Sequence, residues 1–406
     1  MMNRWLVLAV ALATACESSS SAPDSPLPPA TDAAVLSPDA PVMLADAPAP
    51  ALDAPVRPPD ARGTGDAGAG ATSFIYVGTF LGGLIGFRVA ENGTLEALPG
   101  SPFDSRQSFD NVVVSPSHRF IYGVDRSAAK LVGHRLVSGV PEGDSLPGLP
   151  LDITGHPLPL AVDPMGHFLY LGISGTIAVF AIDPATGALN PVTGSPFPAG
   201  GGPVSLAAHP SGRFLYASAG VSGEVAAFTV DPTFGALHEI TGSPFVPTPG
   251  ALSGALVIEP HGNFLYTGGH RLDGWRIDGT SGALTKLDAS PFPGSVGADV
   301  KSTVLAADPT GQFLYAVSNA GTTVAGFRID ATTGDLGDLP GSPYPGGDMP
   351  YSVAVDPSGR FVFIGNDDAA QISALSISPA DGSLKKVEGS PFAANGLEPQ
   401  IVTAAQ

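Results

Sequence analysis

Phe168-Leu169-Tyr170 recurs as Phe214-Leu215-Tyr216, Phe264-Leu265-Tyr266 and Phe313-Leu314-Tyr315. It returns in varied form as Phe74-Ile75-Tyr76, Phe120-Ile121-Tyr122 and Phe361-Val362-Phe363. The third positions (76, 122, 170, 216, 266, 315 and 363) stand 46, 48, 46, 50, 49 and 48 residues apart. A steady period of this size marks one supersecondary unit repeated, each copy too small to bury its own apolar faces. The copies share a grammar. An apolar run leads into a turn such as Asp356-Pro357-Ser358-Gly359, where proline presets one dihedral and glycine takes a positive φ. The Phe-Leu-Tyr run follows, then a second apolar run such as Val225-Ala226-Ala227-Phe228-Thr229-Val230. Both are short and β-branched or aromatic enough for buried strands. A second turn (Asp183-Pro184-Ala185-Thr186-Gly187) and a Gly-Ser-Pro-Phe phrase (Gly194 to Phe197) close the unit.

Seven such units of four strands predict an all-β chain, a seven-bladed β-propeller of four-stranded antiparallel blades over residues 73–406. The strands are lettered A to D from the axis outward. A ends in Asp-Pro, B carries Phe-Leu-Tyr, and C and D follow. Gly-Ser-Pro-Phe is read as the return from rim to centre, its ring packed between neighbouring blades. The first copy opens at strand B, whereas Pro399-Gln400-Ile401-Val402-Thr403-Ala404 fits an A strand with no B after it. The N- and C-terminal strands should therefore share one blade, which removes the open edge of the ring.

Ahead of the repeats lie two different segments. Met1 to Arg4 are followed by an apolar run from Trp5 to Ala15, too short to span a bilayer. The run ends in Ala13-Thr14-Ala15-Cys16, which resembles a bacterial lipoprotein cleavage site. Residues 1–15 are thus expected to be a signal peptide, and Cys16 the lipidated residue that anchors the chain to a membrane. Cys16 is the only cysteine, so no disulfide framework holds the fold. Residues 16–72 are rich in Pro, Ala, Ser and Asp, with Asp32, Asp39, Asp46, Asp53 and Asp60 spaced by seven. The prolines exclude a coiled coil and favour an extended, disordered tether. The expected location is the bacterial cell envelope, at the outer membrane or periplasmic face.

The chain carries 18 Lys+Arg against 37 Asp+Glu, a net charge of −19. Nucleic-acid binding needs clustered cations and is excluded as a function. No phosphate-cradling loop, zinc-binding cysteine pair or nucleophile elbow is present. The reading calls for no cofactor and no metal, and for a monomer.

The Asp-Pro-Ser-Gly-Arg-Phe stretch at 356–361, its counterpart from His209 to Phe214, and Asp-Pro-Ala-Thr-Gly-Ala-Leu at 183–189 carry a resemblance. The units resemble lactonase-type seven-bladed propellers, the family of bacterial 6-phosphogluconolactonase and fungal carboxymuconate lactonising enzymes. They also resemble surface propellers built on Tyr-Val-Thr-Asn repeats. The resemblance implies a site at one mouth of the central channel, made by Arg, His and acidic side chains. Inner strands of that family read Pro-Arg-His-Leu; here Val204 and Ser205 stand where Arg and His would be. His209 lies at the other end of its strand, in a turn, where a structural role is expected.

The B–C and D–A loops share the mouth. If the protein hydrolyses a lactone, His270, Arg271, Arg126 and Asp125 are the catalytic candidates, a base and an oxyanion partner. Asp110, Asn111, Lys301, Tyr351, Asn366 and Asp367 are the ligand-binding candidates. A fold hosts many functions, so the leading expectation is a binding or scaffold module that recognises a protein, glycan or small molecule at the mouth. Lactone hydrolysis is the alternative.

Overall fold

The computed structural model describes residues 73–405, apart from 80–81, 105–107, 156, 221, 249–252, 293–302, 319–320, 368–369 and 395–398. Cys16, the signal peptide and the tether therefore lie outside the described residues, as does Lys301. What is described is all strand and turn, arranged as seven antiparallel sheets. Blades 2 to 7 follow the chain order. Blade 1 pairs Leu95–Ala97, Gly83–Val89 and Ser73–Thr79 with the C-terminal strand Pro399–Ala405. Phe74 lies opposite Ala405 and Gly78 opposite Ile401, so the two ends of the chain close the ring.

The strand B sequences explain their depth. Phe120–Asp125, Phe214–Ala219, Phe264–Gly269, Phe313–Ser318 and Phe361–Asn366 are buried at every position. Each lies between two flanking strands and between two neighbouring blades, so it has no polar face to alternate with. The D strands, such as Leu237–Glu239, open on a leucine that packs inward and then turn to solvent. The apolar interior is seven clusters, each shared by two adjacent blades. Tyr170, Val179 and Phe168 of blade 3, for example, pack with Leu215, Phe228 and Leu237 of blade 4.

The Phe of Phe-Leu-Tyr locks each blade to the next. Its ring lies on a left-handed glycine in the neighbouring C–D turn: Phe120 on Gly187, Phe168 on Gly235, Phe214 on Gly282, Phe264 on Gly334 and Phe313 on Gly382. A Cβ on any of these glycines would stand about 2.5 Å from the ring, inside van der Waals contact. Phe361 of blade 7 meets Gly93 of blade 1 in the same way, so the lock runs through the closure. The Tyr hydroxyl two residues on donates to the same glycine's carbonyl, as in Tyr216 to Gly282 at 2.8 Å and Tyr266 to Gly334 at 2.8 Å. Arginines stack on several of these rings and reach the neighbouring turn. Arg213 lies 5.1 Å from the Phe214 ring centroid and donates to the carbonyls of Gly279 and Thr280.

Gly-Ser-Pro-Phe does more than return the chain to the axis. Its serine accepts from a strand C amide, as Ser195 does from Val179 at 2.9 Å and Ser243 from Ala227 at 3.1 Å. Its aromatic residue pairs with the mouth-side end of the same strand, so Phe197–Pro198, Tyr344–Pro345 and Phe392–Ala393 form short fifth strands. The rings still pack into the interblade clusters, as Tyr344 does between blades 6 and 7.

Candidate functional site

Every inner strand starts at one end of the channel, beside the B–C turns of the same blade. The mouth is built there, and a recurring irregularity shapes it. In blade 7, Pro350 pairs with Asn366 and Ser352 with Gly365, leaving Tyr351 as an extra residue. A bulge of this kind re-aims a side chain. Tyr351 is 37% exposed although Pro350 and Ser352 on either side are buried. The same irregularity in blade 4 exposes Val204. In sequence register this second position of the inner strand is held by Asp110 in blade 2, Val204 in blade 4, Gly254 in blade 5, Tyr351 in blade 7 and Gln400 in blade 1. Tyr351, Gln400 and Asp110 thus hold this position in blades 7, 1 and 2, where the C-terminal strand lies between the inner strands of blades 7 and 2.

In blade 2 two carboxylates fix the sector. Asp125 is buried; it accepts from Ser127 Oγ at 2.6 Å, Ala128 N at 2.8 Å and Ser108 N at 3.2 Å. Asp110 Oδ2 accepts the Arg126 amide at 3.0 Å. The strand entry and the B–C turn are thereby tied together, which presents Arg126 to solvent. Burial raises the Asp110 carboxyl above its ordinary value, against the lowering effects of the Arg126 amide and guanidinium. The Tyr351 phenol is also raised, first by burial. Arg126 lowers it, and Asp367 and Asp110 raise it. Residues of blades 7 and 2 therefore share one electrostatic neighbourhood across blade 1.

The structure sorts the sequence candidates. Asp110 and Arg126 are joined by the Arg126 amide, and with Asp367 they lie near enough for their charges to bear on the Tyr351 phenol. The structure does not join them to His270 and Arg271, which sit exposed at the B–C turn of blade 5. Blades 3 and 4 separate that turn from blade 2, and neither side chain makes a hydrogen bond or ion pair among the described residues. No contact among the described residues joins His270 or Arg271 to Arg126 or Asp125. Asp125 is a loop scaffold whose two oxygens are both engaged. Asn366 is 1% exposed and donates to Ser373 Oγ at 2.9 Å, so it supports the strand end and does not face solvent. Asn111 begins the blade 2 inner strand, half-buried. His209 is structural, as expected: Nδ1 meets Ser211 Oγ at 2.8 Å and Nε2 meets the Gly262 carbonyl of the next blade at 2.9 Å. Burial pushes its pKa down.

Sequence reasoning missed a buried network in blade 5. Asp273 Oδ1 accepts from Thr248 Oγ1 at 2.6 Å and Ser290 Oγ at 2.8 Å, with Lys286 Nζ at 3.3 Å. The register equivalents of Asp273 are mostly apolar, so the repeat gives no warning of it. Among the described residues, no three His, Cys, Asp or Glu side chains are grouped to hold a metal ion.

The family model described as lactonase, seven-bladed β-propeller, matches residues 154–345 and 275–397, more than half of the chain. The chain belongs to the lactonase seven-bladed β-propeller family. This lactonase-family propeller has no match among curated proteins. Solved structures share its fold. A putative 6-phosphogluconolactonase from Bacteroides fragilis has a TM-score of 0.69 at 19% identity, covering 83% of this chain and 99% of that one. A Lactobacillus plantarum protein reaches 0.70 at 19% identity, with 83% and 100% covered. The periplasmic gluconolactonase of Pseudomonas aeruginosa reaches 0.66 at 18% identity, with 83% and 99% covered. At these identities the likeness is one of fold.

Proposed function

We propose that this lactonase-family propeller is a lipid-anchored, extracytoplasmic recognition module whose ligand sits at the channel mouth, on the sector of blades 7, 1 and 2. One observation carries the reading: the bulge exposes the Tyr351 ring where Arg126, Asp110 and Asp367 act on its hydroxyl. A partly exposed aromatic residue with charges of both signs in its neighbourhood, on a rigid ring, suits a small ligand or the tip of a larger one. The Cys16 anchor and Pro/Ala/Asp tether would hold this surface away from a membrane, with the ring facing a glycan, protein or small molecule outside the cytoplasm.

Lactone hydrolysis is the second reading, and the family favours it. So does Asp110, a carboxyl raised by burial beside an arginine. Asp110 would activate water and Arg126 would stabilise the oxyanion. The machinery is then carboxylate and arginine, without the His270 imidazole. A lactone panel assayed by acid release on the purified full-length protein separates the readings. Binding without turnover, lost in Tyr351→Ala, is the expected result. Turnover that falls at least about a hundredfold in Asp110→Asn would make the protein a hydrolase.

A further inference from the structure

At the end of the ring opposite the mouth, where the A–B and C–D turns stand, we infer that the seam of blades 3 and 4 is a twofold interface between copies of this chain. The inference is independent of the mouth reading and departs from the monomer expected from the sequence.

The repeat supplies its own control. The third residue of the A–B turn is Ser117, Ser211, His261, Thr310 or Ser358 in five blades, and Met165 in blade 3. The residue before the C–D turn glycine is Asn92, Ser138, Thr186, Ser281, Thr333 or Asp381 in six blades, and Phe234 in blade 4. Polar residues serve their own turns at these positions. Thr186 Oγ1 donates to Asp183 at 2.8 Å and Ser281 Oγ to Asp278 at 2.9 Å, while Thr310 and Ser358 donate to Asp308 and Asp356. Met165 and Phe234 forgo such bonds and stand 65% and 70% exposed. Both departures fall at one seam, because Phe168, three residues after Met165, lies on Gly235, the neighbour of Phe234.

A cleft of about 550 Å³ opens beside them, lined by Met165, Phe168, Arg213 and Pro232 among others. The same cleft recurs between blades 6 and 7 at about 480 Å³, but Thr310 and Gln312 stand there in place of Met165 and His167. The cleft therefore belongs to the fold, and the apolar knobs belong to this seam. The seam is also incompletely fastened. The Tyr170 hydroxyl is buried without a partner, whereas Tyr122 and Tyr216 donate to the glycine of the next blade. A body seated on Met165 and Phe234 together would clamp the two blades.

A second copy meets these requirements. Knob and cleft lie side by side on one surface, so a twofold axis between them sets Phe234 of each copy into the cleft of the other, against Met165. An isologous contact of this kind uses one patch twice and closes, and a thioether against a ring is favourable. The charges are complementary under the same axis. Arg213 and His167 are exposed at the cleft and Asp231 opens the Phe234 turn, so cations of one copy face a carboxylate of the other. Two such side chains bury a few hundred Å², short of the roughly 800 Å² per partner of a stable dimer, so the association is weak.

The test is light scattering on the full-length chain over a concentration series, with Cys16→Ser throughout so that no lipid drives association. The parent is compared with Met165→Ser, Phe234→Thr and the double variant. Both replacements are residues that other blades carry, so the ring should melt as the parent does at low concentration. The parent's mean mass should rise from one chain towards two between about 1 and about 100 μM. Each single variant should weaken this about tenfold or more, and the double variant should stay at one chain. A parent that stays at one chain throughout would overturn the inference. So would self-association that the double variant retains, or growth past two chains, which a closed twofold forbids.

Discussion

Gly282→Ala should be far more damaging than an alanine at an equally left-handed glycine elsewhere in the ring, because Gly282 receives the ring that locks blade 4 to blade 5. Its φ is +75°, and an added Cβ would lie 2.5 Å from Phe214 Cδ1 and 2.7 Å from Ile240 Cδ1. Phe214 is 2% exposed and cannot swing away. Gly212, with φ +71°, is the control, since a Cβ there has no neighbour within 4 Å. The left-handed conformation costs an alanine about 1–2 kcal/mol at either position. Overpacking adds about 1–3 kcal/mol at Gly282, and displacement of the Tyr216 hydroxyl from the Gly282 carbonyl adds about 1 kcal/mol. Gly212→Ala should therefore lose about 1–2 kcal/mol and Gly282→Ala about 3–6 kcal/mol. Urea denaturation of both variants and wild type, compared by midpoint at constant slope, reads the difference. Equal losses in the two variants would refute the lock. So would a normal Gly282→Ala protein in which Phe214 has kept its burial.

Three other outcomes follow from the same contacts. Ser195→Ala removes the acceptor of the Val179 amide and should cost about 1–3 kcal/mol in thermal or urea unfolding. Asp183, Asp231, Asp278, Asp330 and Asp381 are each held below the ordinary carboxylate value of 3.8 by hydrogen bonds from their own turns. Their stabilisation is complete above that value and disappears as pH falls through the lower folded values, so Tm should drop most steeply below about pH 4. Asp110 has the opposite sign. Burial raises its folded pKa, so whatever it adds to stability is present in acid and lost as pH rises through the folded value. Asp110→Asn should therefore be at least as stable as wild type at neutral pH and lose that advantage below pH 4, as measured by thermal melts at the two pH values.

The ring was legible because the chain writes it seven times. Phe-Leu-Tyr, the Asp-Pro-x-Gly turn and Gly-Ser-Pro-Phe are packing and turn requirements, and these recur wherever the same blade must be built. Closure could be read from phase alone, since the first copy begins at strand B and Pro399–Ala405 is an unmatched A strand. The site was only partly legible. Asp110, Arg126, Tyr351 and Asp367 could be listed from their loops, but so could His270 and Arg271, which have the more reactive chemistry. Choosing between them needs two things that spacing does not encode. One is which blades are neighbours across the closure, where residues more than 200 positions apart influence one another's charge, as Arg126 does for Tyr351. The other is the one-residue bulge at Tyr351, which depends on the register of Pro350 and Ser352 against Asn366 and Gly365. The surroundings of Asp125 were hidden for a third reason. A carboxylate in a loop looks free in sequence, and only the Ser108, Ser127 and Ala128 donors show that it is engaged.

That Tyr351, Arg126 and Asp367 share one neighbourhood can be measured without any ligand. The alkaline ultraviolet titration of Tyr351 is isolated as the difference between wild type and Tyr351→Phe, repeated in Arg126→Ala and Asp367→Asn backgrounds. Because Arg126 favours the phenolate and Asp367 opposes it, the Tyr351 titration should move up in Arg126→Ala and down in Asp367→Asn. A Tyr351 titration unmoved in both backgrounds would mean that blades 7 and 2 do not meet at the mouth, and the site as described would not exist.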